Sequence, residues 1–593
     1  MAADKILQLE KFTGLYCSGD GETEIPDGSS PNMTNFRITP GYKLKRRDGF
    51  RVLKETGASI RGIACGINAA DGGEYFLAVS GTGVLSSNDG FDTLSEIGSI
   101  SGAGKVSFFE FGGSVYILGE TEIKRFNGTE LSDIVGYRPK VTVSTPPSGG
   151  GTLFESPNLL TGSVTQCFTP DGASKIYKLA LSEITSVDGV RYNGIQMQES
   201  QYTVNAANGT VTFINAPAEI YPDCLEIDYT RVSDQKSKIL KCRYAVSFGG
   251  ANDTRAFLWG NPDYPAVIFY SGIANGKPDF SYFPEENFNL IGSGAPVTSL
   301  VRQYDRLIIY TAGEAYYSYI ETVAGADGIR YASFPVNTLS GERGNLCEGP
   351  AQLMDNVPVT FSHDGLYKWI STNIRDERNA RLFSHRISEL LLREASSPPY
   401  IFNRKAASEL FTVCGTHSFV YNYALDVFYK YTSVPVIIMC EGNSGELYFA
   451  DTSGRICATG GNTDAGDSIK AEWYSKYFDF GSSSKVKNIY GATAVIEPDE
   501  NTKCEMSWAS DKEGLDTIDG KLNITLSCVL FSFADIRFDS FSFESAYTAK
   551  LLTRRLSAKR FTHFRVIFRI LEKESGFHLL KLLLRGRIND MDT

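Results

Sequence analysis

The residues of this chain that could do chemistry are its five histidines, eleven cysteines and 69 acidic side chains. The histidines never show the HExxH or HxH spacing that brings two imidazoles to one metal ion. The cysteines are scattered from Cys17 to Cys528, without a CxxC pair, and no two lie near a histidine. We therefore expect reduced thiols in a protein made in cytoplasm, with no metal site and no cofactor.

Paired carboxylates are the groups with which most glycosidases work. Glu285–Glu286 and Asp376–Glu377 are such pairs, but 69 acidic residues make neighbours inevitable, so solvated surface charge is the preferred interpretation. Asp171-Gly172, Asp364-Gly365 and Asp451 lack the DxDxDG calcium pattern and indicate turns. Neither a GxxxxGK[ST] phosphate loop nor a GxSxG nucleophile elbow occurs. No catalytic residue is predicted, and we do not expect an enzyme.

Closely spaced tyrosines raise a second possibility, which is stacking on sugars. They occur at Tyr316, Tyr317 and Tyr319, and again at Tyr421 and Tyr423. Aromatic residues that alternate along a strand are more often cross-strand pairs that hold a sheet together. We prefer that structural interpretation and keep glycan binding as the alternative.

Two basic clusters stand out in a chain whose net charge is −11. An acidic chain is not expected to be a general nucleic-acid binder. A soluble acidic protein is the preferred interpretation, and a conduit wall along which DNA slides without sticking is the alternative. The C-terminal cluster is either a strand edge protected by charge or a contact with an acidic neighbour. The candidate subunit-contact residues are Lys43, Lys45, Arg46, Arg47, Arg554, Arg555, Lys559 and Arg560.

The elements that must position these residues are short strands joined by tight turns. Tyr75–Ser80 precedes a Gly-Thr-Gly turn, Asn127-Gly128 is a favoured hairpin turn, and Val359–Ser362 turns at His363-Asp364-Gly365. Hairpins repeated in this way favour a mostly β fold, an irregular β-propeller, over a pair of large sandwiches. One helix is predicted over Arg381–Glu394, where apolar residues recur at helical spacing, and its His385 is not expected to be a ligand.

Composition divides the chain into five parts. The break at Thr145–Gly151 has flexible-linker composition and introduces short strands that fit a small inserted β-sandwich domain. A new C-terminal β domain begins after the Gly-rich turns that end near 468. The predicted parts are an extended arm (1–50), first propeller blades (51–136), the inserted domain (137–235), the remaining blades (236–468) and the C-terminal domain (469–593).

The N-terminus has no apolar stretch of the kind found in signal peptides, and no run of about 18 apolar residues predicts a membrane segment. The arm over 24–51 is dense in Pro and Gly, so its backbone must be extended and turning. Such a segment buries no core of its own and must lie against other surfaces.

Several of these stretches resemble the nozzle proteins of short-tailed bacteriophages, also called tail tubular protein B, and related phage stabilisation proteins. The similar stretches are the arm from Glu24 to Gly49, the strip Pro278–Pro284 with the strands after it, Val359–Trp369, and Ala471–Gly481 with Lys485–Ile489. The inserted domain departs from the smallest members. It resembles accessory β modules that make contacts in phage particles.

The resemblance implies a structural virion protein, assembled in the bacterial cytoplasm into a ring of six copies below the portal and head–tail adaptor. The ring would retain the packaged genome, form the channel for its ejection, and contact tail fibres or other tail proteins, while double-stranded DNA passes through transiently. The alternative is a receptor- or glycan-binding tail protein that uses the inserted domain. A glycan hydrolase is less favoured.

For the arm we predict that the propeller or a neighbouring subunit completes its strand. Its basic residues, Lys43, Lys45, Arg46 and Arg47, are then expected at a contact and not in a channel lined by DNA.

Overall fold

The protein was analysed as a computed structural model that describes residues 5–18, 23–68, 71–181, 183–233, 235–251, 253–324, 330–370, 380–498, 501–512, 514, 516–527, 549–573 and 575–589. Its fold is mostly β, a β-propeller that carries an inserted small β-sandwich and a C-terminal β domain, as the sequence predicts. The chain forms two compact units. One contains 1–66, 89–93 and 352–593, and the other contains 67–88 and 94–351.

The arm consists of short strands: β1 (Lys5–Leu9), β2 (Gly14–Leu15), β3 (Ser29–Ser30), β4 (Met33–Thr34), β5 (Phe36–Ile38), β6 (Leu44–Arg46) and β7 (Phe50–Glu55). The hairpin series then begins with β8 (Ile60–Ile67), β9 (Glu74–Ser80), β10 (Gly83–Ser87) and β11 (Ser95–Ser99), which form one sheet. A second sheet contains β12 (Ser107–Phe111), β13 (Ser114–Leu118), β14 (Ile123–Phe126) and β15 (Leu131–Asp133).

The inserted domain is a sandwich of a six-stranded and a three-stranded sheet. Its strands are β16 (Lys140–Thr145), β17 (Thr152–Leu153), β18 (Ser163–Phe168), β19 (Ile176–Lys178), β20 (Ile184–Tyr192), β21 (Ile195–Gln196), β22 (Tyr202–Asn205), β23 (Thr210–Phe213) and β24 (Leu225–Arg231). A 3₁₀ turn covers Glu199–Gln201. The domain has its own core, in which Phe168, Tyr177, Phe213 and Tyr229 are buried together. The Gly-rich stretch after Thr145 is a loop inside this domain, because β16 already belongs to it.

A short helix, α1 (Ser237–Leu240), leads back to the hairpin series. One four-stranded sheet contains β25 (Tyr244–Gly250), β26 (Asp253–Trp259), β27 (Val267–Tyr270) and β30 (Phe288–Leu290). Between β27 and β30 the chain forms a separate hairpin of β28 (Gly272–Ala274) and β29 (Lys277–Asp279). The next contains β31 (Val297–Gln303), β32 (Arg306–Thr311), β33 (Ala315–Tyr319) and β36 (Val336–Ser340), with the hairpin β34 (Glu321–Ala324) and β35 (Arg330–Ser333).

The last hairpin sheets belong to the first unit. The first of them contains β37 (Gln352–Met354), β38 (Val357–Ser362), β39 (Gly365–Trp369) and β40 (Ala380–Leu382). The second contains β41 (Tyr400–Arg404), β42 (Glu409–Cys414), β43 (His417–Asn422) and β44 (Val427–Thr432). The third contains β45 (Val436–Glu441), β46 (Leu447–Asp451) and β47 (Arg455–Thr459). The arm strand β7 pairs with β47 and supplies the fourth strand of the last sheet. At the start of the predicted first blades (51–136), β7 thus belongs to the sheet of β45, β46 and β47.

The C-terminal strands are β48 (Ala471–Tyr474), β49 (Val486–Glu497), β50 (Asn501–Ser510), β51 (Ile518–Ser527), β52 (Lys550–Phe561), β53 (Phe564–Ile570) and β54 (His578–Asn589). One sheet has the order β5-β6-β54-β49-β52, with β1 also on β54. The other is continuous with a propeller sheet, because β4 pairs with both β44 and β48. The propeller strand β44 thus pairs with β4 on one side, and the propeller is one of the two partners predicted for the arm. The C-terminal strand β48, which was not predicted as a partner, pairs with β4 on the other side.

The predicted helix is correct only in its last part. It is α2 (Ser388–Glu394), whereas β40 takes Ala380–Leu382 and pairs with β39. Leu382 lies opposite Tyr367, and the Ser384 hydroxyl accepts the backbone N–H of Leu366 at 2.9 Å. Pairing of Ala380–Leu382 as the fourth strand of this sheet thus overrides the helical spacing of the apolar residues in this segment. A second 3₁₀ turn covers Lys405–Ala407.

Candidate subunit-contact face

Two of the arm's basic residues, Arg46 and Arg47, are buried within their own chain. Each side chain is 3% exposed. Arg47 donates from Nη1 and Nη2 to both carboxylate oxygens of Asp464, at 2.8 and 2.6 Å, and Arg46 donates to the backbone and side-chain oxygens of Asn462 at 3.0 and 2.9 Å. They fasten the arm to the loop after β47, so the prediction of an intersubunit contact is wrong for this pair.

The lysines of the same run remain closer to the surface. Lys43 and Lys45 are half-buried, and Lys43 Nζ donates to the backbone oxygen of Glu10 at 2.7 Å. They stay candidates for a contact.

Asn35 lies at the centre of the hydrogen bonds that hold the arm against the loop after β47, and sequence reasoning did not single it out. Its amide nitrogen donates to Thr432 Oγ1 at 2.8 Å and to the Lys470 backbone oxygen at 2.7 Å. Its amide oxygen accepts from Arg47 Nε and from the Thr432 backbone N–H. The residue has φ of 56°, a left-handed conformation that Asn tolerates better than most residues. The sequence signal for this role was an Asn that follows a turn cluster, and its burial is seen only in the structure.

A cavity of about 150 Å³ lies beside this fastening, lined by residues of the arm and of the last two hairpin sheets. It contains Glu409, which is 4% exposed, and burial raises the pKa of this carboxyl above its ordinary value. The Tyr429 hydroxyl donates to Glu409, and Arg404 lies 3.7 Å from its second oxygen. Arg37 pairs with Asp48 at 3.3 Å. Because the cationic and anionic groups are matched, the cavity holds a structural polar network.

The C-terminal basic residues, by contrast, lie on the outer face of a sheet. Along β54 the inner positions Leu582 and Leu584 are buried, whereas Arg585 is exposed and Arg587 half-buried on the opposite face. The central strand β49 supplies Gly491, which lies between Arg585 on one side and Arg555 on the other. The Cα atoms of Arg585 and Arg555 are therefore about 10 Å apart, which is two strand spacings.

A second row on the same face repeats this arrangement. Asn488 of β49 lies between Arg587 of β54 and Lys559 of β52. We call Arg555, Lys559, Arg585 and Arg587 the basic face. Among the described residues none of the four has an acidic partner within salt-bridge distance, and Arg587 Nε is buried without a hydrogen-bond partner.

Other arginines of the same domain do have acidic partners. Arg565 lies 2.9 Å from Asp516, and Arg569 lies 3.0 Å from Glu472. The other two C-terminal residues predicted at a contact, Arg554 and Arg560, are exposed on β52. Within the described ranges β52 is the edge strand of its sheet, and neither arginine has an ion pair there. Edge protection can explain cations on β52, but it does not explain Arg585 and Arg587, because β54 is an inner strand.

Of the two acidic pairs weighed for catalysis, Glu285–Glu286 has a structural role. Glu285 accepts from Arg231, and Glu286 accepts from the Ser156 hydroxyl, so this pair ties the inserted domain to the neighbouring strands. Asp376–Glu377 lies outside the described residues. Within the described ranges no group of three or more metal-binding side chains converges. Burial raises the pKa of the Cys414 and Cys457 thiols to about 12, which leaves them unreactive.

Four of the closely spaced tyrosines lie in strands, as the preferred interpretation holds, whereas Tyr423 lies in the turn after β43. Tyr421 lies opposite Phe428 in the sheet, with the rings stacked at 4.5 Å, and Tyr317 stacks on Tyr319 at 6.4 Å. The exposed His385 has no predicted role and follows a strand. No helix among the described residues is long and apolar enough to span a membrane.

No protein-family model matches this chain, and no curated protein matches it. Solved structures with similarity include the PorZ component of the type-IX secretion system of Porphyromonas gingivalis, at 10% identity and TM-score 0.33. That match covers 73% of this chain but only 42% of PorZ.

Two further solved structures are similar at a TM-score of 0.25 and 10% identity. The YCF48 protein of Cyanidioschyzon merolae is matched over 69% of this chain and 98% of its own. A gluconolactonase of Xanthomonas campestris is matched over 74% and 99%. Similarity this low carries no information about function, and the fold rests on the strand pairing described above.

Proposed function

We propose that this chain is a structural subunit of a closed ring, and that its basic face contacts an acidic surface of the next copy. The observation that carries the proposal is the set of four cations on one sheet face, without acidic partners among the described residues, in a chain of net charge −11. Like charges at neighbouring positions of a sheet repel unless an anionic surface covers them. Contact between two different surfaces of identical copies generates a ring when the rotation closes.

The ring that we propose is the tail nozzle of a short-tailed phage particle. The resemblance of the arm and of the C-terminal strip to nozzle proteins supports this assignment. In this proposal six copies lie below the portal and adaptor, retain the packaged genome and form the ejection channel, and other tail proteins attach outside. An acidic subunit suits a channel of this kind because it does not bind passing phosphates strongly.

Negative-stain electron microscopy of the purified full-length protein tests the ring. We expect rings for the native sequence, and their loss when Arg555 and Arg585 are both changed to Glu. The matched control changes the exposed Lys54 and Lys512 to Glu, which alters the net charge equally but should keep the rings. A native protein that stays monomeric would sink the proposal.

A nucleic-acid role for the basic face is the outcome to exclude. Fluorescence anisotropy with a 20-bp duplex should show only weak, salt-sensitive binding, which the Arg555→Glu/Arg585→Glu variant changes little. Tight binding that this variant abolishes would assign the face to DNA and not to a neighbouring subunit.

The inserted domain supports a second candidate function, receptor binding. It exposes large apolar side chains at its strand ends and loops, and these are Leu153 (86% exposed), Phe154, Ile195, Ile220 and Tyr221. Exposed apolar groups in loops are typical of interaction sites. A glycan array probed with the full-length protein, and with an Ile220→Ser/Tyr221→Ser variant, tests this function. Binding that the variant loses would favour it.

A further inference from the structure

The first two hairpin sheets carry an acidic surface whose charge complements the basic face. Residues 67–136 contain ten Asp and Glu against three Lys and Arg. By contrast, residues 550–589 contain eleven Lys and Arg against two Glu. The two segments therefore carry opposite net charges, as a contact between copies needs.

The outer strands of these two sheets each carry part of this acidity. β11 and β15 are the outer strands of their sheets. They approach closely at Gly98, where an added Cβ would lie 2.9 Å from Leu131 Cδ2. Glu96 lies on β11, and Glu130 and Asp133 lie at β15, all exposed. We call these three residues the acidic edge.

Most of the acidic edge is available to a partner. Asp133 pairs with Lys124 at 2.6 Å, but its side chain is 78% exposed. In the described part of the chain neither Glu96 nor Glu130 lies in an ion pair, and the Glu130 carboxylate accepts a long hydrogen bond of 3.4 Å from the Asn127 side chain. The acidic edge thus has unmatched negative charge, just as the basic face has unmatched positive charge.

We infer that the acidic edge of one copy is the surface that the basic face of the next copy contacts. This inference rests on the proposed ring and names the partner surface within it. The charges also set the polarity of the contact, since two basic faces repel each other, as do two acidic edges. Head-to-tail association brings opposite charges together at every contact, and this is the association that closes a ring.

Charge exchange tests the inference. Three full-length proteins are compared by negative stain and sedimentation: the basic reversal Arg555→Glu/Arg585→Glu, the acidic reversal Glu96→Lys/Glu130→Lys, and the chain that carries all four changes. We expect each reversal alone to abolish rings and the fourfold variant to restore them, because both surfaces then exchange sign. Circular dichroism must show that every variant is folded.

A matched control changes the exposed Asp305 and Glu342 to Lys, which adds the same charge at sites away from the acidic edge and should keep the rings. Rings that survive the acidic reversal, or a fourfold variant that stays monomeric although folded, would overturn the inference while the ring proposal stands. Absence of rings from the native protein would overturn the ring proposal itself.

Discussion

At the scale of single residues, the arm is held by buried polar groups and not by apolar packing alone. Arg47, Asp464 and Asn35 form one hydrogen-bonded set, in which the arginine is 3% and the aspartate 7% exposed. A buried ion pair is costly to break from one side, because the remaining charge is left without a partner.

We expect Arg47→Met to lower the free energy of unfolding by about 3–5 kcal/mol, since Asp464 would remain buried and unpaired. Arg51→Met is the control. Arg51 pairs with Glu446 at 3.1 Å but is 65% exposed, so its loss should cost less than about 1 kcal/mol. Urea unfolding followed by tryptophan fluorescence measures both, and equal effects would contradict the assignment.

Glu409 predicts a pH dependence. Because burial raises the pKa of this carboxyl in the folded state, the folded protein holds the proton to a higher pH than the unfolded chain does. Its contribution to stability is therefore greatest at low pH and is lost as the pH rises through the folded-state pKa.

We expect Glu409→Gln to remove this part of the dependence. The variant should be at least as stable as the native protein at pH 8, and its advantage should shrink as the pH falls toward the ordinary Glu pKa of 4.5. Thermal unfolding at a series of pH values measures this. A variant that is less stable at pH 8 than at pH 5, relative to native, would show that the carboxylate is needed.

At the scale of elements, the hairpins were accessible to sequence reasoning and the long-range pairings were not. The turn at His363-Asp364-Gly365 is local, and the structure places β38 and β39 on either side of it. The pairing of β7 with β47 joins residues about 400 positions apart, and no local signal encodes it. The same holds for Arg47 and Asp464.

The candidate contact face was partly predictable for the same reason. Composition identified the cations near 554–560, but strand register decides that Arg555 lies beside Arg585 across Gly491. Composition also suggested Arg46 and Arg47, whose burial depends on a loop more than 400 residues away. Charge in a sequence locates candidates, and only the fold shows which of them are exposed.

The inserted domain should fold alone. Its core consists of its own residues, including Tyr177, Phe213 and Tyr229. We expect a fragment of residues 137–235 to be monomeric and to unfold cooperatively in circular dichroism. Tyr229→Ala should lower its stability by about 3–5 kcal/mol, the usual cost of truncating a large buried aromatic ring. A fragment without a cooperative transition would mean that the neighbouring strands are required.

At the scale of the whole molecule, the unmatched charges predict salt-sensitive association. Screening shortens the reach of exposed charges to about 10 Å at 0.1 M salt and about 3 Å at 1 M. We expect sedimentation to show the rings at low salt and smaller species at high salt. Oligomers that persist unchanged across this range would indicate an apolar interface instead.

The route of the arm has a further consequence for biosynthesis. The ribosome makes β4, β6 and β7 well before their partners β44, β47, β48 and β54. The arm must therefore wait, with open strand edges, while some 400 residues are translated, and such long-range pairings form slowly. Unpaired edges are prone to associate wrongly during that interval. A nascent chain of this design is most exposed to aggregation before β44 and the later partner strands have been made.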